Sequence, residues 1–449
     1  MRQPPDIRRV QGRLLRRSVP RSVHADWDPP AGRRDPVEIL ETQAATRVRE
    51  LGPIRYQRMS ESPFAFFRGG AAVMSLDLSA TPTTGIYVQA CGDAHVNNFG
   101  FFGSPERNLV FDINDFDETL PGPWEWDVKR LCTSLFIVAR QRGWSTEDGE
   151  VLVAAAARTY RHRIADYSSW HTLDLFYERT EIKRVIEHFP LKHRAGVHRD
   201  VKRARRKDHL RAVAKLTSVA EGQRRFVDDP PLIVHLDATD HDLDEAQGLI
   251  ESYRSSLPDE RRSLFDRYRL VDVSRKVVGV GSVGTRCWIA LMAGPDDPDA
   301  DFVVLQAKEA QPSVLEPYAG QSTQGHHGKR VVVGQRRIQA ASDIFLGWAE
   351  GPKSGRNYYI RQLWDYKGQG DPMTMSRTNL VHYGELCAWI LARSHARTGD
   401  AIAIAAYLGK STTFDRAIAT FAGRYARTNE ADYAALVEAI ETGRIEAAR

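Results

Sequence analysis

Cysteine is scarce. The 449-residue chain has four, Cys91, Cys132, Cys287 and Cys387, which lie far apart and form no CxxC pair. A disulfide framework or zinc ribbon is therefore not expected, and the four read as reduced and structural. Long apolar runs are missing too: no segment approaches the length of a membrane span. The opening "MRQPPDIRRVQGRLLRRSVPRSVHADWDPPAGRRD" has no apolar stretch fit for a signal peptide, so a cytoplasmic protein is expected. There is no repeat or low-complexity tract to suggest a solenoid or a disordered chain. Nor does one charge dominate, because 63 Lys and Arg against 58 Asp and Glu leave only +5, a weak argument for a polyanionic partner.

What is present is an ordinary globular composition with length for two or three structural units. Residues 1–35, rich in Arg and Pro and without periodicity, read as a basic mobile arm. Residues 36–145 open with the amphipathic helix "VEILETQAATRVRELGPIRYQRM" and the aromatic "SPFAFFRGGAAVM", which carries Arg68. Within this part "GIYVQACGD" and "RNLVFDIND" read as strands that each end in an acidic cluster, and "WEWDVKRLCTSLFIVARQR" as a packed helix. Residues 146–270 read as a basic helical insertion. Its Lys183 to Lys215 stretch reads first as a solvated face and, as the lesser alternative, as a nucleic-acid surface, because interleaved aromatics are almost absent. Residues 271–367 read as a β-rich segment containing "SRKVVGVGSVGTRCWIALMAG", an acidic turn "PDDPDAD" and "FVVLQAKEA", and residues 368–449 as helices.

The chemistry is concentrated in "CGDAHVNNFGFF" and "LVFDINDFDET", which crowd Asp93, His95, Asn98, Asp112, Asp115 and Asp117 between apolar runs. Carboxylates and amides are costly beside a core unless a cation or a proton needs them. The spacing Gly92-Asp93-x-His95-x-x-Asn98 resembles the catalytic loop of kinase-like phosphotransferases, closest to the aminoglycoside phosphotransferase and choline kinase branch. That resemblance implies Asp93 as the base that orients or deprotonates an acceptor hydroxyl and Asn98 as a ligand of magnesium. It implies Asp115 as the metal-binding carboxylate at a strand end, with Asp112 as the competing register and Asp117 as an auxiliary ligand. His95 is a second catalytic candidate, a loop brace being its alternative. Asp127 in "GPWEWDVKRL" matches the helix-opening Asp that accepts backbone hydrogen bonds from the catalytic loop.

Gly279, Gly281 and Gly284 have GxGxxG spacing between apparent strands, and Lys308 ends the next strand, resembling the glycine-rich loop and strand lysine that contact ATP phosphates. A Rossmann reading would need a helix directly after the glycines, whereas "TRCWIAL" has strand character. In an ordinary kinase this nucleotide lobe precedes the catalytic loop, so circular permutation is the economical explanation. It requires Lys308 to lie within about 15 Å of Asp115, because a single triphosphate has to span both. The helix "HHGKRVVVGQRRIQAASDIF" has no Glu to pair with the lysine, leaving Gln335, or Glu316 of "SVLEPY", as substitutes. A nucleotide-binding pseudoenzyme is the corresponding alternative.

Taken whole, with "SPFAFFRGG", "GQRRIQAASDIFLGW" and "LARSHARTGD", the chain resembles a bacterial family of unknown function over nearly its full length. The expected fold is α+β, two-lobed, protein-kinase-like and permuted. The expected activity is transfer of phosphate from ATP, with Mg²⁺ or Mn²⁺, to a small-molecule hydroxyl acceptor, with Arg68 a candidate for an anionic substrate group or for a core ion pair. The rivals are a metal-dependent phosphohydrolase using Asp93, His95, Asp112 and Asp115 to activate water, and a non-catalytic nucleotide-binding scaffold.

Overall fold

The computed structural model describes residues 3–206, 208–220, 222–235, 241–295, 301–363 and 365–448. The chain opens with helices α1 (Pro5–Ser18), α2 (Pro36–Ala44), α3 (Gly52–Met59), α4 (Pro63–Gly69) and α5 (Ala71–Ser79). The first four start at a proline in the first turn, where its missing N–H costs nothing. Asp35 and Ser62 cap α2 and α4 by accepting from the backbone N–H of Val37 and Ala65.

Strands β1 (Tyr87–Ala90), β2 (Phe99–Gly103), β3 (Leu109–Ile113) and β4 (Leu120–Pro123) come next, β1 pairing with β4 and β2 with β3, both antiparallel. The strand entering loop 91–98 thus pairs with the strand leaving loop 114–119, and the strand leaving the first pairs with the strand entering the second. Two acidic loops separate in sequence are thereby held side by side.

Helices α6 (Trp124–Gln141) and α7 (Thr146–Tyr167) lead to α8 (Thr172–Tyr177), α9 (Ile182–His188), α10 (Arg194–Arg205) and α11 (His209–Leu216). Then come the hairpin β5 (Thr217–Ala220) and β6 (Gln223–Phe226), strand β7 (Ile233–His235), and helices α12 (His241–Tyr253) and α13 (Asp259–Phe265). Strands β8 (Arg269–Lys276), β9 (Cys287–Ala293) and β10 (Phe302–Glu309) precede α14 (Glu316–Ala319), α15 (His327–Ile338), β11 (Gly347–Glu350) and β12 (Asn357–Gln362). The chain finishes in α16 (Arg377–Thr398), α17 (Ala401–Leu408) and α18 (Thr413–Glu441).

A large apolar core joins α6, α7, α16 and α18 around residues such as Trp124, Leu135, Tyr160, Leu391 and Phe421. The second structural unit is an antiparallel sheet in the order β11-β12-β10-β9-β8-β7. It is covered on both faces, which explains why β9 reads as an unbroken apolar run. Trp288, Ala290 and Met292 face α12 and α13, while Ile289, Leu291 and Ala293 face α11 and β6. Strand alternation sets the orientation of β10 as well. Val303, Leu305 and Ala307 belong to the first face, so Gln306 and Lys308 share the second with Phe302 and Val304.

Three expectations about organisation are corrected. Residues 3–35 are no mobile arm. Arg8 pairs with Asp400 through two hydrogen bonds of 2.6 and 2.8 Å, Arg16 donates to the carbonyls of Tyr407 and Ala406, and Arg33 joins Asp77 and Asp432 at 2.7 Å. Besides these polar contacts, Trp27 is buried in the helical core and Leu15 packs against it. The proposed insertion 146–270 is not one unit, because α7 belongs to the helical core and β7 to the sheet. The sheet therefore begins at Ile233 rather than at 271. Residues 296–300 of the expected acidic turn lie outside the described residues. Among the described residues no helix is long and apolar enough to cross a membrane.

Candidate active site

One face of α6 organises the first acidic loop. Asp127, Arg130 and Ser134 lie three and four residues apart, hence on one side of the helix. The Asp127 carboxylate accepts from the backbone N–H of Cys91 (2.7 Å) and Gly92 (3.0 Å). Arg130 donates through Nε to Asp93 Oδ1 at 2.6 Å, and Ser134 Oγ accepts from the N–H of Val96 at 2.9 Å. His395 of α16 braces Asp127 from behind at 3.2 Å, its other ring nitrogen 2.9 Å from the hydroxyl of Tyr160. Gly92 is required where the loops touch. Its φ is +82°, and a Cβ there would lie 2.3 Å from the carbonyl oxygen of Glu118.

A cavity of about 300 Å³ opens above these loops. Asp93, His95 and Asn98 of the first loop line it, with Asp115, Asp117 and Glu118 of the second. Arg68, Gly279 and Gly281 close it from the other sides. Asn98 also donates to the Asp93 carbonyl. Burial raises the Asp93 carboxyl above its ordinary value, opposed by Arg130. Burial, with Arg68 and Arg130 nearby, holds His95 well below its ordinary value, so its imidazole is neutral.

Lys308 reaches the second loop. Its Nζ is 2.6 Å from Asp117 Oδ2 and 3.9 Å from Asp115 Oδ1, although 191 residues separate Lys308 from Asp117. Tyr359, opposite Lys308 on β12, donates to the other oxygen of Asp117 at 2.6 Å. Burial opposes charge on all three ionisable groups. Asp117 nevertheless falls below the usual carboxylate range because Lys308 and Tyr359 hold it, and Lys308 rises because Asp115 and Asp117 face it. Asp115 is raised by burial and by the Asp117 charge. Burial also pushes Glu118 up to about 7.

The three glycines form the turn between β8 and β9, followed directly by a strand. Arg47 and Arg58 pin this turn by its carbonyls, Arg47 on Gly281 (2.6 Å) and Val283, and Arg58 on Gly279. The N–H of Val48 donates to the Gly284 carbonyl at 2.7 Å. The N–H groups of Val280, Gly281 and Ser282 meet no acceptor among the described residues. Gly279 and Gly281 line the cavity; Gly284, with φ +90°, instead packs against Arg47.

Asp112 does not join the site. Both its oxygens lie 2.5 Å from Arg393 Nη2, and its side chain is 3 % exposed. Strand alternation separates it from the cavity: Asp112 points into the helical core, and the chain must leave β3 before a carboxylate can reach the cleft. Neither lysine-partner substitute touches Lys308, since Gln335 donates to Gln339 and Glu316 accepts from Ser313 N–H. The sequence reading missed Arg130, His395, Tyr359, Arg47 and Glu118. Of these, Arg130 had a signal, its spacing of three from Asp127 on one helix face.

No curated protein and no solved structure matches the chain significantly. A sequence profile for a family described as uncharacterized proteins conserved in bacteria (DUF2252) matches residues 47–439, and the chain belongs to that family.

Proposed function

We propose that the protein is an ATP-dependent phosphotransferase with a permuted, kinase-like arrangement, acting on a small hydroxyl acceptor. The observation that carries this reading is the meeting of Lys308 with Asp115 and Asp117, at 3.9 and 2.6 Å, beside a cavity lined by Asp93, Asn98 and the glycine turn. The order of elements supports it. A glycine turn joins β8 to β9, the lysine sits on the next strand, β10, and α14, α15 and two further strands follow.

In this reading Asp93 takes the proton of the acceptor hydroxyl as its oxygen bonds to the γ-phosphorus of ATP. The bond from that phosphorus to the bridging oxygen breaks and ADP leaves. Lys308 and the unpaired amides of Val280, Gly281 and Ser282 hold phosphate oxygens, which turn amides do well. Asn98 and Asp115 supply oxygen ligands suited to Mg²⁺ or Mn²⁺, which when bound neutralises charge on the phosphates. The hydrolase alternative is weakened because Asp112 is committed to Arg393. Among the described residues, no three of Asp93, His95, Asp115 and Asp117 bring ligand atoms within 4.8 Å of one another.

The test is thermal unfolding with ATP and Mg²⁺. A ligand at a hundred times its Kd stabilises by about 2.7 kcal/mol, a readily measured shift. The wild type should shift, and Asp115→Ala and Lys308→Ala should not. An unmoved wild type would remove the phosphotransferase reading and turn attention to metal-dependent hydrolysis.

A further inference from the structure

Every other cation around the cleft has an acceptor. Lys308 pairs with Asp117, Arg130 with Asp93, and Arg47 donates to the carbonyls of the glycine turn. Arg68, from the last turn of α4, lines the same cavity, yet its guanidinium makes no hydrogen bond and no ion pair among the described residues. Burial accordingly lowers its pKa, a penalty that the attraction of Asp93 only partly offsets. Arg68 is half-buried, its Nε fully enclosed and without an acceptor, which is costly, and the planar fork of a guanidinium matches a carboxylate or a phosphate.

The position of Arg68 distinguishes between the two ligands of the cleft. Arg130 donates from Nη2 to the carbonyl of the preceding residue, Phe67, at 2.9 Å and from Nε to Asp93, the proposed base, so the end of α4 that carries Arg68 is tied beside Asp93. An anion seated on Arg68 is therefore carried on the acceptor side. Thr42, Gln43 and Thr46 line the same cavity, side chains suited to a hydroxyl-bearing molecule. The cavity, about 300 Å³, is open to solvent, which gives an acceptor a way in.

Resting on the phosphotransferase reading, we infer that the acceptor is a small anionic hydroxy compound, phosphorylated or carboxylated, whose charged group pairs with Arg68 while its hydroxyl faces Asp93. The experiment measures binding to the full chain by calorimetry and thermal shift, with glycerol 3-phosphate, glucose 6-phosphate and glycerate as probes. Glycerol and glucose are the neutral controls, and ATP with Mg²⁺ is measured in the same proteins. At least one anionic probe should bind the wild type and its neutral counterpart should not. Arg68→Gln should weaken that binding tenfold or more, Arg68→Lys should fall between, and ATP with Mg²⁺ should stabilise all three proteins alike. Phosphorylated and carboxylated probes separate the two anion chemistries. Arg68→Lys keeps the cation and carries the comparison if Arg68→Gln does not fold.

Loss of the ATP shift in Arg68→Gln would assign the guanidinium to the nucleotide and overturn the inference. Equal binding of neutral and anionic probes would overturn it too. ATP binding by the wild type with no probe bound would sink the acceptor inference alone. Probe binding through Arg68 without any ATP shift would sink the phosphotransferase reading, and the acceptor role with it.

Discussion

A histidine with no exposure and no charged partner has one comfortable state, the neutral one. His24 lies 2.7 Å from the Tyr407 hydroxyl and edge-on to Phe414, and burial, helped by Lys129, depresses it to about 3. Below its ordinary pKa of about 6.5 the unfolded chain takes up a proton that the folded chain refuses. Stability should therefore fall as pH drops from 6.5 toward 3, by about 1.4 kcal/mol per unit where the slope is full. Urea titrations from pH 7 to 4 should show His24→Phe losing less stability than wild type, its Tyr407 hydroxyl still donating to the Val19 carbonyl. His24 was invisible in the sequence because nothing in an Arg- and Pro-rich stretch signals burial. The acidic residues were easier. Asp93, Asn98, Asp115 and Asp127 were named from their resemblance to kinase-like motifs, and all converge on one pair of loops. Asp112 was ambiguous because the strand end, which decides which carboxylate leaves the core, is not written in the local pattern.

At the scale of elements, the glycine hairpin was legible because "TRCWIAL" resumes β-branched and aromatic residues directly after the turn. Helix α1 was not, since it docks largely through arginines onto the carbonyl end of α17. One apolar-side contact does fix it. A Cβ on Gly12 would lie 2.3 Å from the Ala403 carbonyl oxygen, so the two helices approach backbone to backbone. Gly12→Ala should therefore force α1 outward and destabilise by about 1–3 kcal/mol, as overpacking does. Gly196→Ala in α10, where a Cβ meets only Asn379 Nδ2 at 3.9 Å, should be neutral or slightly stabilising through helix propensity. Denaturant midpoints of the two variants decide the matter, and a neutral Gly12→Ala would mean that α1 is loosely held.

Across the whole molecule it was readable that the glycine turn and Lys308 follow the acidic loops in the chain, but the extent of the sheet was not. β7 contributes three residues at its edge, and 33 residues separate it from β8, too weak a pattern to assign it to the sheet. The cleft is made by segments remote in sequence, so one ligand should be felt in both. ATP with Mg²⁺ should slow amide hydrogen exchange at residues 279–284 and at 114–118 together, and Lys308→Ala should abolish both effects. Protection of only one segment would show that they do not share a ligand.

The pairing of Arg8 with Asp400 spans 392 positions. A ribosome adding about 5–20 residues per second takes tens of seconds to make that interval. Through all of it α1 has no docking surface, and Asp117 waits for a lysine made 191 residues later. The nascent chain therefore carries Asp117 without its lysine until β10 is made, and an unattached basic leader until α17 emerges. Chaperone demand should peak late in translation, and chains released early should be recognisable to the cell's quality control by that exposed leader.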